Sequence, residues 1–214
     1  MAVSRDLLEA LKSLRPSRDL PWRYVGDPWA ALLAEVLLVR TNASKVAAFY
    51  PAILSRLRAP CDAASLPLGE LESLLRPLGL WRRRAEMLRR IAEAARRLGC
   101  SVPCDYTALR SLPGVGDYAA AAVLLSACGA RPPGPPVDVN VARVLSRAAL
   151  GRDPRADYLR DRELLEVASS LPWTRELLYA LLDVSALHCR PSRPRCASCP
   201  LRAACRYAAG QRGH

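Results

Sequence analysis

The chain lacks the long apolar runs on which membrane insertion depends. In its 214 residues no hydrophobic stretch reaches the length that spans a bilayer, and each candidate helix is interrupted by Arg or Pro. The N-terminal segment MAVSRDLLEALKSLR has neither a long apolar core nor a small-residue cleavage site, so it does not resemble a signal peptide. We therefore expect a cytoplasmic protein that makes no contact with a membrane.

Lysine and the side-chain amides are also scarce. Two of the 32 basic residues are lysines, Lys12 and Lys45, which leaves 30 arginines, and the chain has two Asn and one Gln. Few heat-labile amides are typical of heat-adapted proteins, although a GC-rich genome also produces an arginine bias. The composition favours a thermophilic prokaryote as the source.

Acidic residues are too few to balance the arginines. The 20 Asp and Glu side chains leave a formal net charge of +12, which suggests a polyanionic partner such as nucleic acid. A well-solvated basic surface has the same charge, so this observation does not decide the function by itself.

No convincing pair of strands and no internal repeat is present, and apolar residues recur at helical spacing almost throughout. The sequence predicts an all-α protein. Asp27 is a plausible N-cap with Pro28 at the first helical position, and Ser44 is expected to cap the next helix.

Two proline-containing segments interrupt these helices, at residues 20–28 and 129–137. We predict a six-helix domain over residues 27–136. The two ends of the chain, residues 1–26 and 137–214, are then expected to form a second domain.

The segment LPGVGDYA, residues 112–119, has three interpretations. A dinucleotide-binding glycine loop requires a preceding strand, whereas the residues before this segment are polar and helical. An ordinary tight turn between two helices explains the glycines and the proline simply. In a helix-hairpin-helix, Gly114, Val115 and Gly116 present backbone amides to a DNA phosphate, which fixes register on the duplex without reading sequence.

Four of the eight cysteines crowd into the last part of the chain: Cys189, Cys196, Cys199 and Cys205. In a cytoplasmic protein such a cluster favours a metal site over a disulfide framework. Structural zinc sites usually have two close cysteine pairs, and only Cys196 and Cys199 form one here, so an iron–sulfur cluster is favoured.

The other four cysteines are scattered, at Cys61, Cys100, Cys104 and Cys128. The sequence leaves open whether they are free or bonded. In a heat-adapted cell Cys100 and Cys104 are candidates for a disulfide.

Downstream of the hairpin, VDVNVARVLSR has Asp138 at the expected N-cap of a new helix, and the cysteine cluster follows. LPGVG, VD-x-N-x-x-RV and the cysteine spacing, in this order, resemble the endonuclease III superfamily of DNA glycosylases over residues 27–207. The resemblance implies a two-domain helix-hairpin-helix fold with a C-terminal [4Fe–4S] loop remote from catalysis. It also implies a monomer in the nucleoid that binds double-stranded DNA containing a mismatch or lesion, with a monovalent cation at the hairpin.

A glycosylase breaks the bond between a base and its deoxyribose through a transition state that resembles an oxocarbenium ion. Asp138 is the candidate carboxylate that stabilises this charge, and amide donors at the helix start are expected to keep it ionised. By position alone Asp138 is an ordinary N-cap, and the resemblance reverses that preference. Asn140 is expected to hold Asp138 or the substrate backbone.

Tyr118 occupies the position at which strand-cleaving members of the family have a lysine that forms a Schiff base. Neither lysine of this chain lies there, so a monofunctional enzyme is expected. Tyrosine here resembles the branch that removes thymine or uracil opposite guanine, although a buried aromatic that packs the helices is the alternative.

Glu35 lies in an otherwise apolar helix face, where a carboxylate is costly. By resemblance it contacts the target base or donates a proton. Arg40, Thr41 and Leu80 occupy positions that fill the gap left by a flipped nucleotide.

The predicted function is removal of thymine or uracil mispaired with guanine, which leaves an abasic site. Alternatives are a uracil or damaged-pyrimidine glycosylase, an A/G-mismatch adenine glycosylase, and a non-catalytic helix-hairpin-helix DNA-binding module. Adenine glycosylases carry an additional domain that reads oxidised guanine, and the end of this chain soon after Cys205 counts against that activity.

Overall fold

Helices form nearly all of the regular structure, and they begin where the sequence provides caps and prolines. The computed structural model describes residues 3–210, and within that range no strand is present. The all-α prediction is therefore confirmed. None of the helices in this range is long and apolar enough to cross a membrane.

The α-helices are, in chain order, α1 (Arg5–Ser13), α2 (Pro28–Leu38), α3 (Ala43–Arg56), α4 (Pro60–Ser65), α5 (Leu68–Leu75), α6 (Trp81–Arg96), α7 (Tyr106–Ser111), α8 (Asp117–Val123), α9 (Val139–Leu145), α10 (Arg162–Ser169), α11 (Arg175–Leu187) and α12 (Arg206–Gly210). Both α8 and α9 continue into a π-helical turn, at Leu124–Cys128 and Ser146–Leu150. Short 3₁₀ turns lie at Pro21–Arg23, Arg76–Leu78, Tyr158–Arg160 and Cys196–Ser198.

The N-caps explain where the helices near the predicted site begin. Asp27 accepts a 2.7 Å hydrogen bond from the amide of Ala30, with Pro28 at the first helical position, as predicted. The predicted cap at Ser44 is wrong. Asn42 caps α3 instead, because its side-chain oxygen accepts the Ser44 amide at 2.8 Å, and the helix starts two residues earlier than predicted.

Backbone contacts divide the described chain into two units. We call residues 19–133 the hairpin unit and residues 3–18 with 134–210 the cysteine unit. The hairpin unit begins at residue 19, whereas the sequence predicted a boundary at residue 27. The boundary lies earlier because Leu20 and Trp22 are buried in the core of this unit. The second boundary lies inside the proline-rich segment predicted as a break. The predicted domains also included residues 1–2 and 211–214, which lie outside the described residues.

The hairpin unit contains seven α-helices, α2 to α8, rather than the six that the sequence predicted. Its central helix is α2, in which seven of eleven residues are buried, as expected for a helix that is apolar on all sides. The long basic helix α6 packs its apolar face against α4 and α5. Buried aromatic polar groups have partners, since Trp29 Nε1 and Tyr50 Oη each donate to a carbonyl at 2.8 Å.

Two disulfides close loops of the hairpin unit, and their pairing differs from the expected one. Cys61 bonds to Cys100, and Cys104 bonds to Cys128. The expected Cys100–Cys104 pair is therefore wrong. Cys61 belongs to α4, which packs on α6, and the chain leaving α6 brings Cys100 back to this contact.

The cysteine unit is built around α9 and α11, which pack on each other. The N-terminal segment joins this unit through Asp183 of α11, whose carboxylate is 2% exposed and accepts the amides of Ser17 and Arg18 at 2.8 and 3.0 Å. This contact explains why the two ends of the chain fold together.

Candidate active site and cysteine pocket

Asp138 caps α9 through three hydrogen bonds. Its Oδ1 accepts the amides of Asn140 and Val141 at 2.9 and 2.7 Å, and its Oδ2 accepts Asn140 Nδ2 at 2.7 Å. The N-cap prediction and the contact with Asn140 are confirmed. The donors bind both carboxylate oxygens and so fix the orientation of the carboxylate.

Burial acts against the amide donors that are expected to keep Asp138 ionised. Partial burial raises the pKa of this carboxyl above its ordinary value, and the hydrogen bonds from Val141 and Asn140 only partly oppose that effect. The amide donors are present as expected, yet desolvation outweighs them. A carboxylate with little solvent around it interacts strongly with a developing positive charge, because solvent screens the interaction less.

Asn140 connects Asp138 to the start of the cysteine loop, the segment of residues 189–205 that contains the four clustered cysteines. Its Oδ1 accepts hydrogen bonds from Arg143 Nη2 at 3.0 Å and from Ser185 Oγ at 3.3 Å. Arg143, which is 7% exposed, in turn donates from Nε to the carbonyl of Cys189 at 2.7 Å. The side chains of α9 thus hold the carboxylate and the start of the cysteine loop in one rigid arrangement.

The four clustered cysteines carry free thiols and line one pocket of about 290 Å³, open space included. Arg147, which is 3% exposed, approaches Cys189 Sγ with Nη1 at 3.6 Å and donates to the carbonyl of Arg190 at 2.6 Å. Burial raises the pKa of Cys199 to about 11 and also raises that of Cys189. Four partly buried thiols beside a buried arginine suit a metal group that binds thiolates and carries negative charge.

The spacing of the thiols bears on which metal group fits. Within residues 3–210 no three His, Cys, Asp or Glu side chains are grouped as ligands of a single metal ion. Tetrahedral zinc needs four sulfurs around one ion, whereas in a four-iron cluster each thiolate binds a different iron. The four thiols line a single pocket and form a sulfur-only ligand set, which both kinds of metal group use.

The structure accounts differently for glycine at the two hairpin positions, Gly114 and Gly116. Gly114 has a φ of 74°, which favours glycine, and a Cβ there would lie 2.6 Å from Met87 Cε, so the end of that side chain would have to move. Gly116 has an ordinary φ of −84°, and a Cβ there would meet no atom within 4 Å. Among residues 3–210 no side chain crowds Gly116, and its exposed backbone leaves room for a group from outside.

The hairpin is braced from α7. Tyr106 Oη donates to Asp117 Oδ1 at 2.8 Å, and Arg110 Nε lies 2.6 Å from the same oxygen. Arg110 Nη1 also donates to the carbonyl of Val115 at 2.5 Å, so this carbonyl already has a cationic partner. The monovalent cation expected at the hairpin stays a prediction.

Glu35 and Tyr118 lie on helices that pack together, since α2 contacts α8 in the core of the hairpin unit. Both residues are half-buried, and both take part in interactions within the chain. The structure thus brings together the two helices that carry these residues, while Asp138 belongs to the cysteine unit.

The residues expected to fill the gap in DNA lie on two exposed loops of the hairpin unit. Arg40 and Leu80 have left-handed backbone, with φ of 52° and 51°, and Thr41 accepts a hydrogen bond from Arg84. Left-handed backbone is strained for a residue with a side chain and often marks functional loops.

Sequence reasoning missed two residues that the structure associates with these groups. Arg84 is buried beneath both loops, but in the sequence it is one of three consecutive arginines. Burial raises the pKa of the Tyr158 phenol, and the nearby Asp138 carboxylate raises it further. No motif distinguishes either residue.

Comparison with known proteins places this arrangement in a family. Residues 33–168 match the model of the HhH-GPD superfamily base excision DNA repair protein. A thymine/uracil-DNA glycosylase of Pyrobaculum aerophilum is 40% identical over 86% of this chain and 82% of its own length. A thymine-DNA glycosylase of Aeropyrum pernix is 36% identical, with 96% of this chain and 94% of the relative covered. A solved thermostable thymine-DNA glycosylase superposes with a TM-score of 0.80 at 30% identity, covering 96% of this chain and 94% of that one.

Proposed function

The chain belongs to the HhH-GPD superfamily of base excision DNA repair proteins, and on that premise we propose that it is a DNA glycosylase that removes thymine or uracil mispaired with guanine. The reaction hydrolyses the N-glycosidic bond and leaves an abasic site in an intact strand. The observation that carries this proposal is the half-buried Asp138 carboxylate, oriented by three donors at the start of α9. The two relatives are named as a thymine/uracil-DNA glycosylase and a thymine-DNA glycosylase, which supports thymine and uracil as the bases removed.

Asp138 stabilises the oxocarbenium-like sugar as the bond to the base lengthens. Its orientation is fixed in advance by Asn140 and Val141, so little reorganisation is needed when the charge develops. Water adds to C1′, either from the face opposite the departing base or after the base has left. The ionised carboxylate of Asp138 accepts the proton that this water loses.

Glu35 and Tyr118 face the target base in this proposal. Glu35 contacts or protonates the departing base, and its half-buried side chain lies on α2, the helix that packs on the one carrying Tyr118. Tyr118 replaces the amine that a Schiff-base mechanism requires, so the product keeps an unbroken strand.

Duplex binding relies on the hairpin and on the excess of arginine. The backbone amides of Gly114 and Gly116 receive a phosphate, and the open space at Gly116 lets the phosphate approach the backbone. The amide of Val115, which the sequence also predicted as a donor, instead donates to the carbonyl of Leu112 at 3.2 Å. Arg40, Thr41 and Leu80 occupy the gap left by the extruded nucleotide.

The cysteine pocket holds a [4Fe–4S] cluster in this proposal. Cys189, Cys196, Cys199 and Cys205 are its ligands, and the cluster supplies a rigid cross-link and electrostatic support for DNA docking rather than a step in base release. Anaerobically purified protein should be yellow-brown and contain iron, and Cys199→Ser should lose iron and folding or DNA affinity. Zinc without iron in that material would contradict the cluster.

The source is proposed to be a thermophilic prokaryote and the protein a monomer that acts on DNA inside the cell. The two disulfides and the sources of the relatives support a heat-adapted origin, because intracellular disulfides are frequent in hyperthermophiles.

The proposed function is tested on labelled duplexes that differ only in one base pair. T/G and U/G duplexes should yield alkali-labile abasic sites, and A/G and fully paired duplexes should not. Strands should break only after alkali or heat, and borohydride should trap no covalent complex. Release of adenine but not thymine would contradict the substrate class. Duplex binding without release of any base would instead favour a non-catalytic DNA-binding module.

A further inference from the structure

Two loops of the hairpin unit expose apolar side chains on strained backbone. Between α2 and α3, Val39 is 58% exposed and is followed by Arg40 in the left-handed region. Before α6, Leu80 is 42% exposed and is itself left-handed. Neither strain nor exposed hydrocarbon stabilises the folded chain, so the shape of these loops needs another explanation.

One buried side chain holds both loops. Arg84 of α6 is 4% exposed, and its Nη1 donates to the carbonyls of Leu78, at 3.1 Å, and Gly79. Its Nη2 donates to the carbonyl of Val39, at 2.6 Å, and to Thr41 Oγ1. Each terminal nitrogen of the guanidinium therefore binds one loop.

This arrangement is specific to arginine. The planar fork has two terminal nitrogens in a fixed relation, whereas lysine has a single nitrogen that cannot bind two separated loops in this way. Burial also lowers the pKa of Arg84, which reflects the cost of removing its charge from water. Among the described residues Arg84 forms no ion pair that offsets this cost.

We propose that Arg84 is the positioning residue for insertion into DNA and that Val39 is a second inserting side chain beside Leu80. The guanidinium fixes the separation of the loops, so Val39 and Leu80 enter the base stack together when a nucleotide leaves it. Apolar side chains inserted between bases unstack and kink a duplex in other DNA-binding proteins. This inference rests on the proposed function, since insertion serves base extrusion.

Direct contact between Arg84 and a phosphate does not explain the same geometry. Both terminal nitrogens are occupied by the protein, and the side chain is nearly inaccessible. Arg84 therefore acts through the loops, and its replacement should change insertion more than overall duplex affinity.

The first test reads insertion without base release. Duplexes carrying 2-aminopurine next to a T/G pair are titrated with protein, and unstacking raises the fluorescence. Wild-type protein should raise it severalfold, and Leu80→Ala, Val39→Ala and Arg84→Met should lose most of the rise with affinity changed less than about threefold. Arg84→Lys keeps the charge and should stay well below wild type.

Arg89→Met is the matched control. Arg89 also belongs to α6 and donates to a carbonyl, that of Leu66, which lies outside both loops. This variant should give the wild-type fluorescence rise. Thermal midpoints of all variants are measured, and the assays are run well below the lowest of them.

The second test compares single-turnover release of uracil from a U/G pair and from an unpaired bubble of the same sequence. Arg84→Met should be about tenfold slower or more on U/G, because unstacking is no longer assisted, and within twofold of wild type on the bubble. Equal loss on both substrates, or a wild-type fluorescence rise, would overturn the inference. Wild-type protein that releases uracil from neither substrate contradicts the proposed function, and the fluorescence result then decides this inference alone.

Discussion

The two units use the same residue type in opposite ways. In the hairpin unit four cysteines are oxidised to two disulfides, whereas in the cysteine unit four remain free thiols around one pocket. A cysteine sulfur that is bonded in a disulfide cannot also act as a thiolate ligand of a metal. The two disulfides lie in the hairpin unit, and the four free thiols proposed as cluster ligands lie in the cysteine unit.

The same division separates the proposed roles. The hairpin unit carries the phosphate-binding hairpin and the inserting loops, and it is cross-linked. The cysteine unit carries Asp138 and is held by buried arginines that bind backbone carbonyls and thiols. Substitutions in the hairpin unit should therefore change stability and DNA binding. Substitutions in the cysteine unit should change the rate of base release.

Removal of the disulfides should have the largest effect. Their loops span 39 and 24 residues, and each cross-link should contribute about 2–4 kcal/mol to the free energy of unfolding by restricting the unfolded chain. Chemical denaturation of Cys61→Ala/Cys100→Ala and of Cys104→Ala/Cys128→Ala measures each contribution. Unchanged unfolding midpoints would break the comparison, because the hairpin unit would then not depend on its cross-links.

Asp138→Asn should slow base release on the order of a hundredfold or more, because the shape and the cap remain while the charge is lost. Duplex affinity, which the hairpin unit governs, should stay near that of wild type. Single-turnover kinetics with a binding isotherm on the same duplex checks both. Near-normal turnover would return Asp138 to the role of an ordinary N-cap.

The two hairpin glycines should separate stability from binding. Gly114→Ala should lower stability by about 1 kcal/mol or more, since it forces left-handed backbone and a clash with Met87. Gly116→Ala should cost less stability, below about 1 kcal/mol, because it introduces no clash and only a poorer N-cap for α8. It should weaken duplex binding up to about tenfold, because the new methyl group occupies the approach of the phosphate. Equal binding by both variants would argue against a phosphate at this backbone.

The smallest expected effect is that of acid, which should separate base release from folding within the cysteine unit. Protonation of Asp138 should slow base release, and because burial raises its pKa, the loss should begin at a higher pH than for an ordinary aspartate. A raised carboxyl pKa in the folded state means that this group does not favour unfolding in acid. Asp161 does, but the hydrogen bond from Arg152 lowers its pKa, so its contribution is lost at a lower pH. A pH–rate profile paired with circular dichroism should show falling rate with an intact fold.

Sequence reasoning predicted what local pattern determines. The cap at Asp138, the helix at Pro28 and the gathering of the last four cysteines all follow from residue type and spacing over a few positions. It failed where distant segments meet. Cys61 pairs with Cys100 because α4 packs on α6, which spacing does not encode.

The same limit applies to the candidate site. The raised pKa of Asp138 depends on burial by the whole unit, and the role of Arg84 depends on two loops about 40 residues apart. Asn42 displaced Ser44 as a cap through a single side-chain hydrogen bond, a competition between neighbouring cap residues that the pattern leaves undecided.

The order of the two disulfides along the chain gives the hairpin unit a particular covalent topology. The ring closed by Cys61 and Cys100 ends before the ring closed by Cys104 and Cys128 begins, and the second ring encloses α7, the hairpin and α8. A protease that nicks the chain once inside either ring therefore releases no fragment. In a denaturing gel without reductant, the nicked molecule should therefore migrate as a single chain. The hairpin stays covalently attached at both ends until a reductant is added.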